Sequence, residues 1–304
     1  MNITNKLNLP QALVNMAQQS NLESSENTYR VTSLLKGTKE LILEKRHSDE
    51  ITVDVSEMIW LLFGTAVHHL LNSHMEGENQ FKEERITIPF NDYFITGQFD
   101  LFDAATKTIS DYKTASVWKI IYGNYKDWRW QLLLYAYCLK AIGFDVETGE
   151  IIALLKDHSK RDAKFKPEYP NLQVSKIQFQ FTKDDIAECE IWLENKFAEI
   201  TKALKLTDDE IPICTPEERY NSGDKFAVMK RGRKTAMRVL NTKEEAEQYL
   251  CETGGDFIQT RPGEDKKCME YCSVCDYCNH YKKIKGIEYE ELKKLYFNLQ
   301  KEGE

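Results

Sequence analysis

Between residues 85 and 113 the apolar residues of this chain recur with a period of two, and on both sides of that stretch the period is helical. RITIPF (85–90), YFITGQFDLF (93–102) and KTISDYK (107–113) alternate apolar with polar side chains, as half-buried strands do. Asn91-Asp92 and residues 103–106 supply the turn-formers between them. Upstream, residues 31–43 and 55–71 place apolar groups at helical spacing within a span, 29–75, that reads as helical. Downstream, residues 128–142 do the same and stop at Gly143. Residues 151–156 then read as a short buried strand, 157–170 as a polar loop, 172–181 as an alternating strand, and 184–204 as a helix. Thr182 and Asp185 have the spacing of an N-cap for that helix. This order predicts a mixed α/β core, with a mixed sheet flanked by helices.

Four segments follow from the same pass. Residues 1–28 are polar and read as a loosely held arm, and 29–205 form the core. Residues 206–265 carry a basic hairpin and a helix, and 266–304 a cysteine cluster with a C-terminal helix. The hairpin is expected over 226–240 around Arg231-Gly232-Arg233, followed by a capping box at Thr242 and Glu245. With 41 basic and 49 acidic residues the net charge is −8, which excludes a surface coated in phosphate-binding charge but leaves room for a local basic groove. No run approaches the roughly 18 apolar residues of a membrane span. The N-terminus lacks the basic and apolar regions of a secretory signal. Together with eight cysteines, this points to a reducing, cytoplasmic setting.

The chemistry concentrates in the strands. Asp100 ends GQFD and Asp111 opens DYK, with Lys113 two residues on. In a strand, i and i+2 share a face, so Asp111 and Lys113 point together and Tyr112 points away. A hairpin through residues 103–106 can bring both carboxylates beside that lysine, and such oxygens, with the Tyr112 carbonyl, suit Mg²⁺ or Mn²⁺. The tripeptide alone says little, because acidic-x-Lys also occurs at Asp162, Glu194, Glu264 and Glu291. Two helical pairs add to it: Gly64 with His68, and Gln131 with Tyr135, each four apart and so on one helix face. A histidine on an apolar helix is more often packed core than ligand, and His69 is an equally available candidate.

Taken together, Gly64-x3-His68, Gly97-x2-Asp100, Asp111-x-Lys113 and Gln131-x3-Tyr135 resemble the PD-(D/E)XK nuclease superfamily, and more narrowly RecB-type exonucleases with their CRISPR-associated and phage-borne relatives. The resemblance runs from about Arg30 to Leu155 for the core and resumes at the C-terminal cysteines, and residues 157–265 match no motif. It implies a restriction-endonuclease-like core with a C-terminal Cys-rich metal-binding appendage. It also implies that His68, Asp100 and Asp111 bind the catalytic metals with help from the Tyr112 carbonyl. Lys113 would position the attacking water, while Gln131 and Tyr135 would orient active-site groups or DNA. Glu84 or Glu83 would stand where relatives keep an upstream acid. The proline that often precedes the first acid is replaced by Phe99.

Cys268, Cys272, Cys275 and Cys278 crowd into CMEYCSVCDYC, whereas Cys138, Cys189, Cys214 and Cys251 are scattered and read as small core residues. Some RecB-type nucleases hold a 4Fe-4S cluster with three C-terminal cysteines and one upstream of the core. Here no cysteine precedes Cys138, so the alternatives are an iron–sulfur cluster using Cys275, a structural Zn²⁺ site near His280, or no metal. Residues 225–243 hold seven basic side chains and no acidic one. Lys230, Arg231, Arg233, Lys234 and Arg238 are therefore candidates for tracking phosphates, against the alternative of a solvated edge hairpin. Trp118, Tyr122, Trp128 and Trp130 flank the motifs and are candidates for base stacking, although most such aromatics are core.

The resulting expectation is a Mg²⁺- or Mn²⁺-dependent deoxyribonuclease, an exonuclease on DNA ends or single strands in recombination, repair or phage replication, with a helicase or recombination partner possible. An endonuclease of the same fold, a non-catalytic DNA-binding scaffold, and a zinc-knuckle module on an unrelated α/β domain are the alternatives.

Overall fold

The computed structural model describes residues 1–19, 27–73 and 77–286. The chain divides into two compact units, Met1–Lys36 with His47–Lys202, and Gly37–Arg46 with the chain from Ala203 onward. In order, the elements of the first unit up to residue 115 are β1 (Asn2–Thr4), α1 (Gln11–Gln19), β2 (Thr28–Arg30), α2 (Val31–Leu34), β3 (Thr52–Asp54), α4 (Ile59–Asn72), β4 (Gln80–Lys82), β5 (Arg85–Phe90), β6 (Tyr93–Gln98), β7 (Leu101–Asp103) and β8 (Thr108–Ala115); α3 (Thr38–Arg46) belongs to the second unit. Then come α5 (Val117–Tyr122), α6 (Lys126–Ala141), β9 (Thr148–Leu155), α7 (Lys160–Phe165), β10 (Val174–Gln180) and α8 (Lys183–Ala203).

A five-stranded mixed sheet runs β10-β9-β8-β7-β4, and a three-stranded sheet runs β2-β6-β5. β8 and β9 are parallel, in register from Thr108 opposite Thr148 to Ala115 opposite Leu155. The crossover between them carries α6, whose Leu132, Leu133 and Leu134 are all fully buried. A helix buried on several faces reads as a core helix. β5 buries Ile86, Ile88 and Phe90 and exposes the residues between them, as its alternation predicts. Tyr93 stacks on Phe197 of α8 at 4.9 Å, so α8 covers the smaller sheet. Among the described residues no helix is long and apolar enough to cross a membrane.

Several expectations need correction. The stretch 93–102 is two strands in two sheets: β6 pairs with β5 and β7 with β8. Phe99 and Asp100 form the corner between them, and Phe99 is 2 % exposed. Alternation continues through a corner whose hinge residue is itself buried, so the sequence reads as one strand. The span 29–75 is not continuously helical, because β3 and a 3₁₀ turn over Val55–Met58 precede α4; residues 74–76 lie outside the described residues. The polar segment 157–170 contains α7, capped by the Ser159 hydroxyl accepting from the Asp162 N–H. The N-terminal arm is not loose over residues 1–19: β1 pairs parallel with β3, and Val14 and Ala17 bury against Val55, Met58 and Leu62. Leu13 and Met16 pack on the same cluster, so α1 docks through an apolar stripe that the polar composition of residues 1–28 hides.

The second unit holds β11 (Lys225–Met229), β12 (Arg238–Leu240), α9 (Lys243–Thr253), β13 (Phe257–Arg261) and α10 (Lys266–Glu270). Its sheet is β12-β11-β13, antiparallel throughout. The Thr242–Glu245 capping box is present, as is the Thr182 cap on α8. Lys39 of α3 is 1 % exposed, and its ammonium donates to the Asp208 and Ile211 carbonyls and to Asn279 Oδ1 at 2.7, 2.9 and 3.1 Å. A buried cation so fully partnered ties α3 to the loops of its own unit. Residues 279–286 are helical, and the remainder of the expected C-terminal helix lies outside the described residues.

Candidate active site and cysteine cavity

In the first unit, β7 and β8 pair with Leu101 opposite Ser110, which carries Asp100 across from Asp111. Asp100 Oδ2 accepts a 2.7 Å hydrogen bond from the Tyr112 backbone N–H. Its Oδ1 lies 3.0 Å from His68 Nδ1 on α4. Asp111 is 4 % exposed. Its Oδ1 accepts from Gln131 Nε2 at 2.9 Å, and Lys113 Nζ donates to Gln131 Oε1 at 2.9 Å. Asp111 Oδ2 lies 2.8 Å from Lys113 Nζ, yet it accepts no aligned hydrogen bond among the described residues. The structure thus brings together Asp100 from the corner before β7, Asp111 and Lys113 from β8, His68 from α4 and Gln131 from α6.

Burial pushes the Asp111 carboxyl above the usual carboxylate range; the Lys113 charge opposes this and the Asp100 charge adds to it. Desolvation wins because the carboxylate has lost nearly all its water. His68 is raised, chiefly by its hydrogen bond to Asp100. Tyr135 is raised by burial first and by the Asp111 charge second. At 4 % exposure, Tyr135 stands behind Gln131 rather than at the surface. Gly97 makes room for it, since a Cβ there would sit 2.5 Å from Tyr135 Cε1 and 3.0 Å from Val31 Cγ2.

The open side of the site is a cleft of about 240 Å³ lined by His68, Lys82, Glu83, Asp100 and Tyr112 among others. Of the two glutamates at the start of the first strand, Glu83 lines it and Glu84 does not. Glu83 sits at φ 46°, a left-handed conformation that costs of order 1 kcal/mol for such a residue, and its N–H donates to the Asp100 carbonyl at 3.1 Å. The positive φ had no signal in the sequence.

In the second unit, Cys268, Cys272, Cys275 and Cys278 line one cavity of about 350 Å³, and Cys214 lines it too. Sequence reasoning placed Cys214 with the scattered core cysteines. Cys138 and Cys189 fit that description, buried on α6 and α8, but Cys214 does not and Cys251 is exposed. The available signal was local: Cys214 stands between Pro212 and Pro216 in a polar segment, where no helix face calls for a small apolar group. Burial raises the thiols, Cys268 to about 11 and Cys272 to about 12. Arg219 also lines the cavity, and its Nη1 is buried without a hydrogen bond among the described residues. Beside it, Asp265 accepts from Asn221 Nδ2 at 2.6 Å and lies 2.7 Å from His280 Nε2. Asp265, Cys268 and His280 bring their ligand atoms within 4.8 Å of one another.

The basic residues of the hairpin surround the turn between β11 and β12. Lys230, Arg231, Arg233, Lys234 and Arg238 are exposed, and Arg238 stacks over the Tyr249 ring at 5.3 Å. The flanking aromatics separate: Trp128 is buried and Trp130 packs on Trp192, whereas Trp118 and Tyr122 are exposed.

No protein-family profile matches the chain, and no curated protein does. Among solved structures, the SSO0001 protein is similar over 62 % of this chain and 85 % of its own, at 17 % identity and a TM-score of 0.45. An alkaline exonuclease from Laribacter hongkongensis is similar over 59 % of this chain and 90 % of its own, at 11 % identity and a TM-score of 0.38. A phage related exonuclease from Haemophilus somnus 129PT is similar over 64 % and 82 %, at 12 % identity and a TM-score of 0.28.

Proposed function

We propose that the chain is a divalent-cation-dependent deoxyribonuclease of the PD-(D/E)XK type, an exonuclease working on DNA ends or single strands in recombination, repair or phage replication. The observation that carries this reading is the Asp111–Lys113–Gln131 contact set beside the Asp100–His68 pair at an open cleft. The donor set fits a hard cation: two carboxylates and an imidazole, one of whose oxygens, Asp111 Oδ2, is buried without a hydrogen bond. Asp100, Asp111 and His68 would hold Mg²⁺ or Mn²⁺, with the Tyr112 carbonyl assisting. When bound, the cation supplies neutralisation of the phosphodiester charge and a lowered pKa for the attacking water.

The chain's own residues then divide the work. Lys113 presents a positive charge where negative charge grows on the phosphoryl group, and orients water. Gln131 fixes Lys113 and Asp111 at once through its two amide ends, and buried Tyr135 holds Gln131 in turn. Lys230, Arg231, Arg233, Lys234 and Arg238 would follow the phosphate backbone.

The cysteine cavity fits a soft, structural metal centre, an iron–sulfur cluster in the first instance and Zn²⁺ as the alternative. The supporting observation is Arg219: its Nε pairs with Asp265 at 3.2 Å, but its buried Nη1 makes no hydrogen bond among the described residues, and an anionic thiolate-ligated centre would give that nitrogen a partner. Four of Cys214, Cys268, Cys272, Cys275 and Cys278 would hold it, clipping the segment in place.

The test is end-labelled single- and double-stranded DNA with Mg²⁺ or Mn²⁺, with Lys113→Ala and an EDTA control. Ladder-wise degradation that needs the cation and falls by roughly 10²-fold or more in the variant is expected. DNA bound but left intact under every cation would overturn catalysis.

A further inference from the structure

Three exposed aromatic residues collect at one end of the β8–β9 pair. Trp118 and Tyr122 are 54 % and 76 % exposed on α5, and their rings stack on each other at 5.8 Å with 27° between planes. Trp60, at the start of α4, is 61 % exposed, with Lys156 over its ring at 4.2 Å. Single exposed aromatics need no explanation, but a cluster marks an interaction surface.

The fold ties the cluster to the active strand. Lys156 donates its backbone N–H to the Ala115 carbonyl at the end of β8. The next residue, Asp157, accepts from the Ser116 hydroxyl and from the Val117 N–H at 2.6 and 2.8 Å, holding the start of α5. Trp118 therefore follows Lys113 by five residues on a pinned segment. On the other side, Trp60 and His68 are eight residues apart on α4, which spans about 12 Å at about 1.5 Å per residue. Trp60 thus stands about two helical turns along α4 from the histidine that pairs with Asp100. Lys156 makes no ion pair among the described residues, so its charge is available for a phosphate.

We infer that Trp118 and Tyr122, with Trp60, form a stacking platform for the unpaired bases of a single-stranded DNA end whose backbone enters the carboxylate cleft. The inference rests on the nuclease reading for its choice of DNA and deepens it by selecting single strands. Every base has a π-face, so such a platform grips single strands of any sequence, whereas a duplex keeps its base faces covered. The pair Lys156–Trp60 completes it with a cation beside a ring, matched to a phosphate beside a base.

The experiment measures binding without cleavage. Full-length protein in EDTA is titrated against a labelled oligothymidine, the same oligomer lacking bases, and a blunt duplex. Trp118→Ala and Tyr122→Ala are expected to weaken oligothymidine binding by roughly tenfold each and to leave the abasic oligomer and the duplex unchanged, whereas Trp118→Phe and Tyr122→Phe, which keep a ring, retain the affinity. Both residues are exposed, so the variants fold. Unchanged affinity for oligothymidine, or an equal loss on all three ligands, overturns the platform and leaves the surface to a protein partner. Because binding is read without a divalent cation, base-dependent binding that stays intact while the Mg²⁺ or Mn²⁺ cleavage assay shows no degradation counts against the nuclease reading alone.

Discussion

The carboxylate site of the first unit and the cysteine cavity of the second are both candidate metal centres, and they are built in opposite ways. Asp100, Asp111 and Lys113 are aimed by strand register: once Leu101 pairs with Ser110, the three side chains have little choice. Lys113 lies against Asp111, and His68 shares a hydrogen bond with Asp100. The thiols have no such frame. They hang on a five-residue helix, a 3₁₀ turn and loop segments, and burial drives them toward the protonated form. Ordered backbone can prepare a hard site before its ion arrives, whereas a site on short elements depends on its metal for order.

The largest expected effect follows from that dependence. Cys214→Ser should strip metal from the full-length protein as thoroughly as Cys272→Ser does, and should lower the stability of the second unit by at least ~3 kcal/mol, since structural thiolate sites contribute about 10 kcal/mol or more. Cys251→Ser, at an exposed helix position, should change stability by less than ~0.5 kcal/mol. Metal content with thermal unfolding checks this, and visible absorption tells an iron–sulfur centre from colourless Zn²⁺. Full metal occupancy in Cys214→Ser would erase the contrast, because the four clustered cysteines would then suffice.

A smaller effect sits at the hard site and depends on pH. A carboxyl whose pKa is raised by folding favours the native state while protonated. Asp111 therefore contributes stability at low pH that is lost as the pH climbs above the ordinary carboxylate range through its raised value. On the proposed reading, added Mn²⁺ offsets that penalty by binding the ionised form. In Lys113→Ala, which on the proposed mechanism lacks turnover, the rise in melting temperature on adding Mn²⁺ should be larger at pH 8 than at pH 5. About 2.7 kcal/mol is expected at a hundredfold excess over Kd. A shift independent of pH would place the cation away from Asp111.

How much of this was legible follows the same division. Asp111 and Lys113 could be paired from sequence because a strand repeats every two residues, and that periodicity is local. Gln131 could be matched to Tyr135 by helical spacing, but its bridge from Asp111 to Lys113 joins α6 to β8, and nothing local encodes that contact. The Phe99–Asp100 corner was hidden because both strands it separates share one alternation. The docked helix α1 was hidden because its apolar stripe, Leu13, Val14, Met16 and Ala17, lies within a segment, residues 1–28, whose composition is mostly polar. Cys214 is the sharpest case: it lies 54 positions before Cys268 in the chain, and only the fold of the second unit brings it to the others.

The finest contrast is between two glycines of the first unit. Both belong to the pattern Gly64-x3-His68 and Gly97-x2-Asp100, so a reading by motif treats them alike. The structure does not. A Cβ at Gly64 would meet Thr114 Oγ1 at 3.4 Å, an ordinary contact, whereas at Gly97 it would meet the buried Tyr135 ring at 2.5 Å. Tyr135 cannot retreat, because it is packed at 4 % exposure behind Gln131. Gly97→Ala should therefore cost ~1–3 kcal/mol as overpacking does, and should lower kcat by displacing Gln131 and Lys113 while substrate affinity holds. Gly64→Ala should be neutral or slightly stabilising, since alanine is favoured over glycine inside a helix by up to about 1 kcal/mol. Denaturant unfolding and single-turnover cleavage of the two variants side by side decide it. Equal behaviour would mean that Tyr135 is not the wedge its contacts make it.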